Sequence, residues 1–280
     1  MSNENIDDTI ISPADMSDHP GITFEPPIID SIEMDSHVTP ADLPSTSNYD
    51  DRQGIPQVSQ RHPLVKALPK DTGRPVANYY ADIHWENGFE NWPIVRFSTP
   101  MDGSCLFHAI SNSFFPPYHT EMLHGRHVTR NKMVASLRKQ LADKLAEPIS
   151  SDPGAPRHYD TLNGGTTSQF AEVVPEFALS YMQAQLDSHT PIGYGYMEFI
   201  GNALNKDIYI LEALRHDIYI SDELPLTIKG NRCSIVLYYM NGHYELVGIQ
   251  NIDGSFDTHF TPDHSFIQFL YNRVREITGQ

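Results

Sequence analysis

Between residues 234 and 249 the chain reads as a β-hairpin whose register follows from the turn alone. Ser234-Ile235-Val236-Leu237-Tyr238-Tyr239-Met240 is an apolar, β-branched run, and His243-Tyr244-Glu245-Leu246-Val247-Gly248-Ile249 is a second strand pattern. Asn241-Gly242 stands between them. A two-residue hairpin turn of the favoured type needs positive φ at both central residues, which Asn and Gly tolerate best. That turn pairs Met240 with His243, Tyr239 with Tyr244 and Tyr238 with Glu245. Side chains alternate faces along a strand, so His243, Glu245 and Val247 share one face, and Tyr244 and Leu246 the other. Residues two apart on a strand face lie ~7 Å apart at Cα, so Glu245 is within reach of the His243 imidazole. Taken alone, this pair is equally a polar patch on a solvated sheet face.

A histidine with a carboxylate beside it is the base half of a nucleophilic site. One of the two cysteines of the chain supplies a candidate nucleophile. Cys105 follows Met101-Asp102-Gly103-Ser104 and opens an amphipathic run in which Leu106, Phe107, Ala109, Ile110 and Phe114 fall at helical spacing. The first N–H groups of a helix have no intrahelical partner, and the macrodipole there favours an anion. That placement is expected to lower the pKa of Cys105 and to populate the thiolate. The backbone amides of Gly103, Ser104 and Cys105 form a candidate oxyanion hole, with Gly103 permitting close approach of a carbonyl. On this motif alone, a buried cysteine that merely starts a core helix remains open.

Together these segments resemble one family. Asp102-Gly103-Ser104-Cys105-Leu106-Phe107-His108-Ala109 looks like the catalytic-cysteine motif of the ovarian tumour (OTU) family of cysteine deubiquitinases. Gly242-His243-Tyr244-Glu245-Leu246-Val247 looks like its histidine motif. Tyr194 to Ile210, with Gly195 and Glu198 opening a helix that leads into a strand, is similar to its middle block. The resemblance implies an α+β, papain-like fold of the OTU type, with a small central sheet flanked by helices. It implies that Cys105 is the nucleophile, His243 the general base and Asp102 an organiser of the oxyanion loop. The third triad member in the family is usually Asp or Asn two residues after the histidine; here that place holds Glu245. Some members draw the acid from before the cysteine loop, where Asp82 and Glu86 are the candidates. The implied activity is isopeptide hydrolysis after the C-terminal glycine of ubiquitin or a ubiquitin-like modifier, with no cofactor and no metal. Two alternatives stand beside it: an inactive ubiquitin-binding module of the same fold, and a papain-like hydrolase acting on other amides.

Composition bounds the rest. The 280 residues carry 36 acidic and 19 basic side chains, a formal charge of −17. This argues against nucleic acid as a partner, because phosphate binding needs clustered Lys and Arg. It suits a basic segment, such as the arginine-bearing tail of ubiquitin. Two cysteines cannot build a disulfide framework, and neither a secretory leader nor an apolar run of membrane length is evident. The expectation is an intracellular protein of the cytoplasm with reduced thiols and no membrane contact.

Residues 1 to 78 hold ten of the 21 prolines, 13 acidic and five basic residues, and lack apolar periodicity. They are expected to be a disordered acidic tail, with the catalytic domain over 79 to 280. Within that domain, Ile94 to Phe97 reads as a strand. Met133, Leu137, Leu141 and Leu145 mark a helix that stops before Pro148. A helix is expected from about Ser168 to Leu186, with Pro175 in its first turns or kinking it. Strands follow at 207 to 212 and 217 to 220, and a last helix starts at Thr261-Pro262-Asp263 with Phe266, Phe269, Leu270 and Val274 inward. His108, His119, His124 and His127 lack the tight spacing of a zinc site, and His108 reads as a groove-wall or packing residue. Cys233 reads as a buried, inert thiol.

Overall fold

The computed structural model describes residues 80–220 and 228–279. The expected tail over 1 to 78 lies outside the described residues. The described residues begin with strands β1 (Tyr80–Asp82) and β2 (Ile94–Phe97), followed by helices α1 (Cys105–Phe114) and α2 (Pro116–Thr120). A small ribbon of β3 (Met122–Leu123) and β4 (Arg126–His127) leads to α3 (Arg130–Leu145). Helices α4 (Thr166–Phe170), α5 (Leu179–Asp187) and α6 (Met197–Leu204) follow. Then come β5 (Asp207–Glu212), β6 (Asp217–Ile218), β7 (Ser234–Met240), β8 (His243–Gln250), β9 (Phe256–Asp257) and the closing helix α7 (Ser265–Thr278).

The main sheet runs β1-β2-β8-β7-β5-β6, with β9 also on β8. Only β5 and β7 pair in parallel; the other pairs are antiparallel. The hairpin has the register that the turn dictates: Met240 opposite His243, Tyr239 opposite Tyr244, Tyr238 opposite Glu245. Asn241 and Gly242 both take positive φ, 49° and 82°, the backbone such a turn requires.

Alternation along the strands divides the core in two. Ile235, Leu237, Tyr244 and Leu246 face α1, α3 and α6 in one cluster. Val236, Tyr238, Val247 and Ile249 face α7 and the Trp85–Phe89 corner in the other. The result is an α+β domain with a central mixed sheet between helices.

Two helices depart from expectation. The segment expected as one helix over 168 to 186 is broken into α4, a 3-10 turn at Pro175–Phe177 and α5. Pro175 has no N–H to give and its ring crowds the preceding turn, so it opens a new turn instead of continuing the old one. The last helix starts at Ser265, not at Thr261, because the His264 side chain accepts the Phe266 N–H at 3.2 Å and caps it. Phe266, Leu270 and Val274 are inward as expected, while Phe269 is only half-buried.

Candidate active site

The site forms where the start of α1 meets the start of β8. Cys105 is the first residue of α1. The first intrahelical bond runs from His108 N–H to Ser104 C=O at 3.0 Å. The amide of Tyr244 donates to Cys105 Sγ at 3.5 Å, so the residue next to His243 touches the thiol. The hairpin and the cysteine helix, with His243 138 positions after Cys105 in sequence, thus bring the backbone of the residue after His243 to the helix N-terminus.

Burial decides the state of the thiol. Cys105 is 6% exposed, and burial pushes its pKa above the usual thiol value; the amides of Tyr244 and Leu106 pull the other way and lose. The expectation of a lowered pKa is therefore corrected: charge desolvation outweighs the helix-end field. Burial likewise lowers His243, with Glu245 raising it and Arg96 lowering it further. Both groups rest neutral, which suits a base that takes the proton as attack begins.

The cysteine loop is held from behind. Asp102 Oδ1 accepts the Ser104 N–H at 2.9 Å, and Oδ2 lies 3.0 Å from His108 Nε2. A carboxylate accepts only, so the proton of this bond sits on His108 Nε2, and Nδ1 is left to accept from the Tyr118 hydroxyl at 2.8 Å. His108 is fully buried, the packing residue of the two expected alternatives and not a groove wall, and it also ties the loop to Tyr118. Burial would raise the Asp102 pKa, but the Ser104 amide and His108 together hold it below the usual carboxylate value. The Ser104 N–H is committed to Asp102, so of the three amides expected to form an oxyanion hole, Gly103 and Cys105 remain to donate.

Arg138 of α3 is a second anchor. Its guanidinium is 1% exposed and lies over the Phe107 ring, 4.5 Å from the centroid. It donates to Gly103 C=O and Ser104 Oγ at 3.2 and 3.1 Å, and to the carbonyls of Leu186, Gln185 and Thr190 at 2.8, 2.8 and 3.0 Å. The cysteine loop and the 185–190 loop are thereby tied to one helix. Gly103 has φ +79°, and a Cβ there would collide with the His189 carbonyl oxygen; only glycine fits.

Glu245 is placed between Arg96 and His243. Its Oε2 lies 2.6 Å from Arg96 Nη1, and its Oε1 is 4.0 Å from His243 Nε2. Arg96 is also stacked on Tyr238 at 4.8 Å. The nearer partner of His243 Nε2 is Thr99 Oγ1 at 3.3 Å. Asp82 and Glu86 are exposed, and no contact joins them to His243. A cleft of about 430 Å³ opens beside Tyr244, walled by Gly193, Tyr194, Tyr219 and Tyr239, with Glu212 on its lining. Of the three hairpin tyrosines, Tyr239 and Tyr244 line this cleft and Tyr238 lies on the opposite sheet face.

Arg96, Thr99, Arg138 and Tyr118 had no signal in sequence beyond Arg96 interrupting the apolar run Ile94-Val95-Arg96-Phe97. Cys233 is half-buried, not buried as expected, because it precedes the first residue of β7. Among the described residues no three His, Cys, Asp or Glu side chains gather to hold a metal ion, and no helix is long and apolar enough to cross a membrane.

The fold resembles OTU domains. A solved OTU domain in complex with ubiquitin matches at 14% identity and TM-score 0.42, over 71% of this chain and 90% of that one. The OTU domain of OTUD1 matches at 19% identity and TM-score 0.33, over 55% and 85% of the two chains. The viral OTU domain protease from Dera Ghazi Khan virus matches at 17% identity and TM-score 0.32, over 61% and 97%. No protein-family model and no curated protein matches the chain.

Proposed function

We propose that the protein is an OTU-type cysteine isopeptidase that releases ubiquitin, or a ubiquitin-like modifier, from lysine side chains. The observation that carries the reading is the Tyr244 N–H to Cys105 Sγ contact, which joins the residue after His243 to the first residue of α1. The cleft supports it too: its aromatic walls suit an extended C-terminal tail.

In this reading the modifier's C-terminal glycine carbonyl lies over Cys105. His243 Nδ1 takes the thiol proton as Sγ bonds to the carbonyl carbon. The N–H groups of Gly103 and Cys105 hold the resulting oxyanion; one such donor contributes about 10²–10³ in rate. The C–N bond then breaks, and the lysine nitrogen takes the proton from His243, leaving a thioester. Water gives a proton to His243 and its oxygen to the carbonyl carbon, and the departing sulfur recovers the proton. No metal or organic cofactor enters these steps.

A non-catalytic ubiquitin-binding module is the second reading, favoured by one fact: Glu245 is bonded to Arg96 and lies 4.0 Å from the histidine. A ubiquitin carrying a C-terminal electrophile separates the two. Covalent labelling of the wild type, absent in a folded Cys105→Ala protein, supports catalysis. Tight but noncovalent binding supports the module. Turnover by folded Cys105→Ala sinks the mechanism.

A further inference from the structure

We infer that Thr99 is the positioning residue of His243, fixing its tautomer, and that Glu245 acts through Arg96 as a charged brace and not as the hydrogen-bonded third member. The inference rests on the reading of Cys105 and His243 as nucleophile and base. It concerns which atom holds the ring.

The available protons fix the tautomer. Thr99 Oγ1 lies 2.5 Å from the Tyr244 carbonyl oxygen. A carbonyl can only accept, and two oxygens this close require a hydrogen between them. Thr99 has a single hydroxyl hydrogen, so that hydrogen is spent on Tyr244 C=O. Toward His243 Nε2, at 3.3 Å, the same oxygen can then only accept. The neutral ring must carry its proton on Nε2, and Nδ1 keeps the lone pair. This is the nitrogen a base needs to present to the thiol, since Nε2 is already engaged on the Thr99 side.

Glu245 cannot do this work from where it sits. Its Oε1 is 4.0 Å from Nε2, beyond hydrogen-bond length, while Oε2 is 2.6 Å from Arg96. Arg96 is itself held over the Tyr238 ring. The charged groups acting on the imidazole are Glu245, Arg96 and Asp102; the two carboxylates and the guanidinium partly offset one another. The Tyr244 backbone is the common bracket. Its N–H donates to Cys105 Sγ and its C=O accepts from Thr99, so thiol, base and orienter are all referred to one residue.

Nitrogen-15 NMR of the histidine-labelled full chain tests this, with His243 assigned through a His243→Gln variant. Wild-type His243 is expected to show its unprotonated nitrogen at Nδ1 above its pKa. Thr99→Val keeps the shape but cannot accept; the Nε2–H signature should be lost or mixed. Its rate on a fluorogenic ubiquitin substrate should fall on the order of tenfold to a hundredfold. Thr99→Ser retains the hydroxyl and should restore both readouts. Glu245→Gln should leave the tautomer as in the wild type. An Nδ1–H tautomer in the wild type, or Thr99→Val with unchanged tautomer and rate, overturns the inference even if the other variants fold poorly. A tautomer that shifts with Glu245→Gln but not with Thr99→Val also overturns it and returns the role to Glu245. If no ubiquitin substrate is cleaved, the proposed activity fails, and the NMR signatures still decide for or against Thr99.

Discussion

Replacing Arg138 by Leu tests whether one buried cation holds the cysteine loop in place. The guanidinium makes five hydrogen bonds, to Gly103, Ser104, Gln185, Leu186 and Thr190. Bonds from a charged donor are each worth about 1.5–3 kcal/mol net. Against them stands the cost of burying the charge, several kcal/mol, and leucine removes both contributions. What leucine leaves behind is a set of four carbonyls that have lost a donor. A dry, unsatisfied acceptor costs about 1–3 kcal/mol, and loop movement that admits water recovers part of that. The net loss is expected to be about 4 kcal/mol, within the range for breaking a buried charged contact. For a domain of this size each kcal/mol lowers the melting temperature by about 2–4 °C, so the fall should be roughly 8–16 °C. Arg138→Lys keeps the charge but offers a point-like ammonium in place of a planar fork. It cannot span both loops and should fall between Leu and wild type. Melting followed by near-ultraviolet circular dichroism, with electrophilic-ubiquitin labelling at a temperature where all variants are folded, reads both effects. A leucine variant that melts within about 2 °C of wild type and labels at the wild-type rate refutes the reasoning.

Three further outcomes are expected. Gly103→Ala should slow labelling by at least about tenfold, since the His189 carbonyl must move to admit a Cβ and the loop amides move with it; wild-type labelling would contradict that. The pH profile follows from burial: His243 protonates below its usual 6.5 and Cys105 ionises above its usual 9.0. A neutral ring is needed to take the proton, so kcat/KM should hold as pH falls through 6.5 and drop only at lower pH. Iodoacetamide should react slowly near neutrality and faster above pH 9.0; a fast, flat rate from about pH 6 upward would indicate a preformed thiolate–imidazolium pair instead. Glu245→Asp should destabilise the fold by about 1–3 kcal/mol, because the shorter side chain withdraws from Arg96 and leaves a buried guanidinium under-paired. An unchanged denaturant midpoint would show that the pair contributes nothing.

What was legible in the sequence was local. Asn241-Gly242 dictates a turn type, the turn dictates the register, and the register places His243 and Glu245 on one face; each step needs only neighbours in the chain. The Cys105 helix was readable for the same reason. The partners of these residues were not. Arg96 meets Glu245 across 149 positions and Thr99 meets His243 across 144, contacts that exist only because β2 lies beside β8. No periodicity within either strand states which strand is its neighbour. The pKa of Cys105 was misjudged on the same ground. The field at a helix start can be read from position, but its burial depends on β8 packing against α1. Nothing in Arg138-Lys139-Gln140 marks Arg138 out from its basic neighbour; only α3 docking against two loops turns it inward.

The strand order also sets a sequence of events during synthesis. β8 lies between β2, made early, and β7, made late, so the centre of the sheet closes only after residues near 250 have emerged. Pairing over such separations is slow relative to local helix formation. Cys105 therefore spends the growth of the chain without the Tyr244 amide on its sulfur and without the cover of the sheet. A nascent or C-terminally clipped chain carries the thiol without the strand that covers it. Its cysteine is exposed to oxidants in that interval, and the docking of β8 is what shields it.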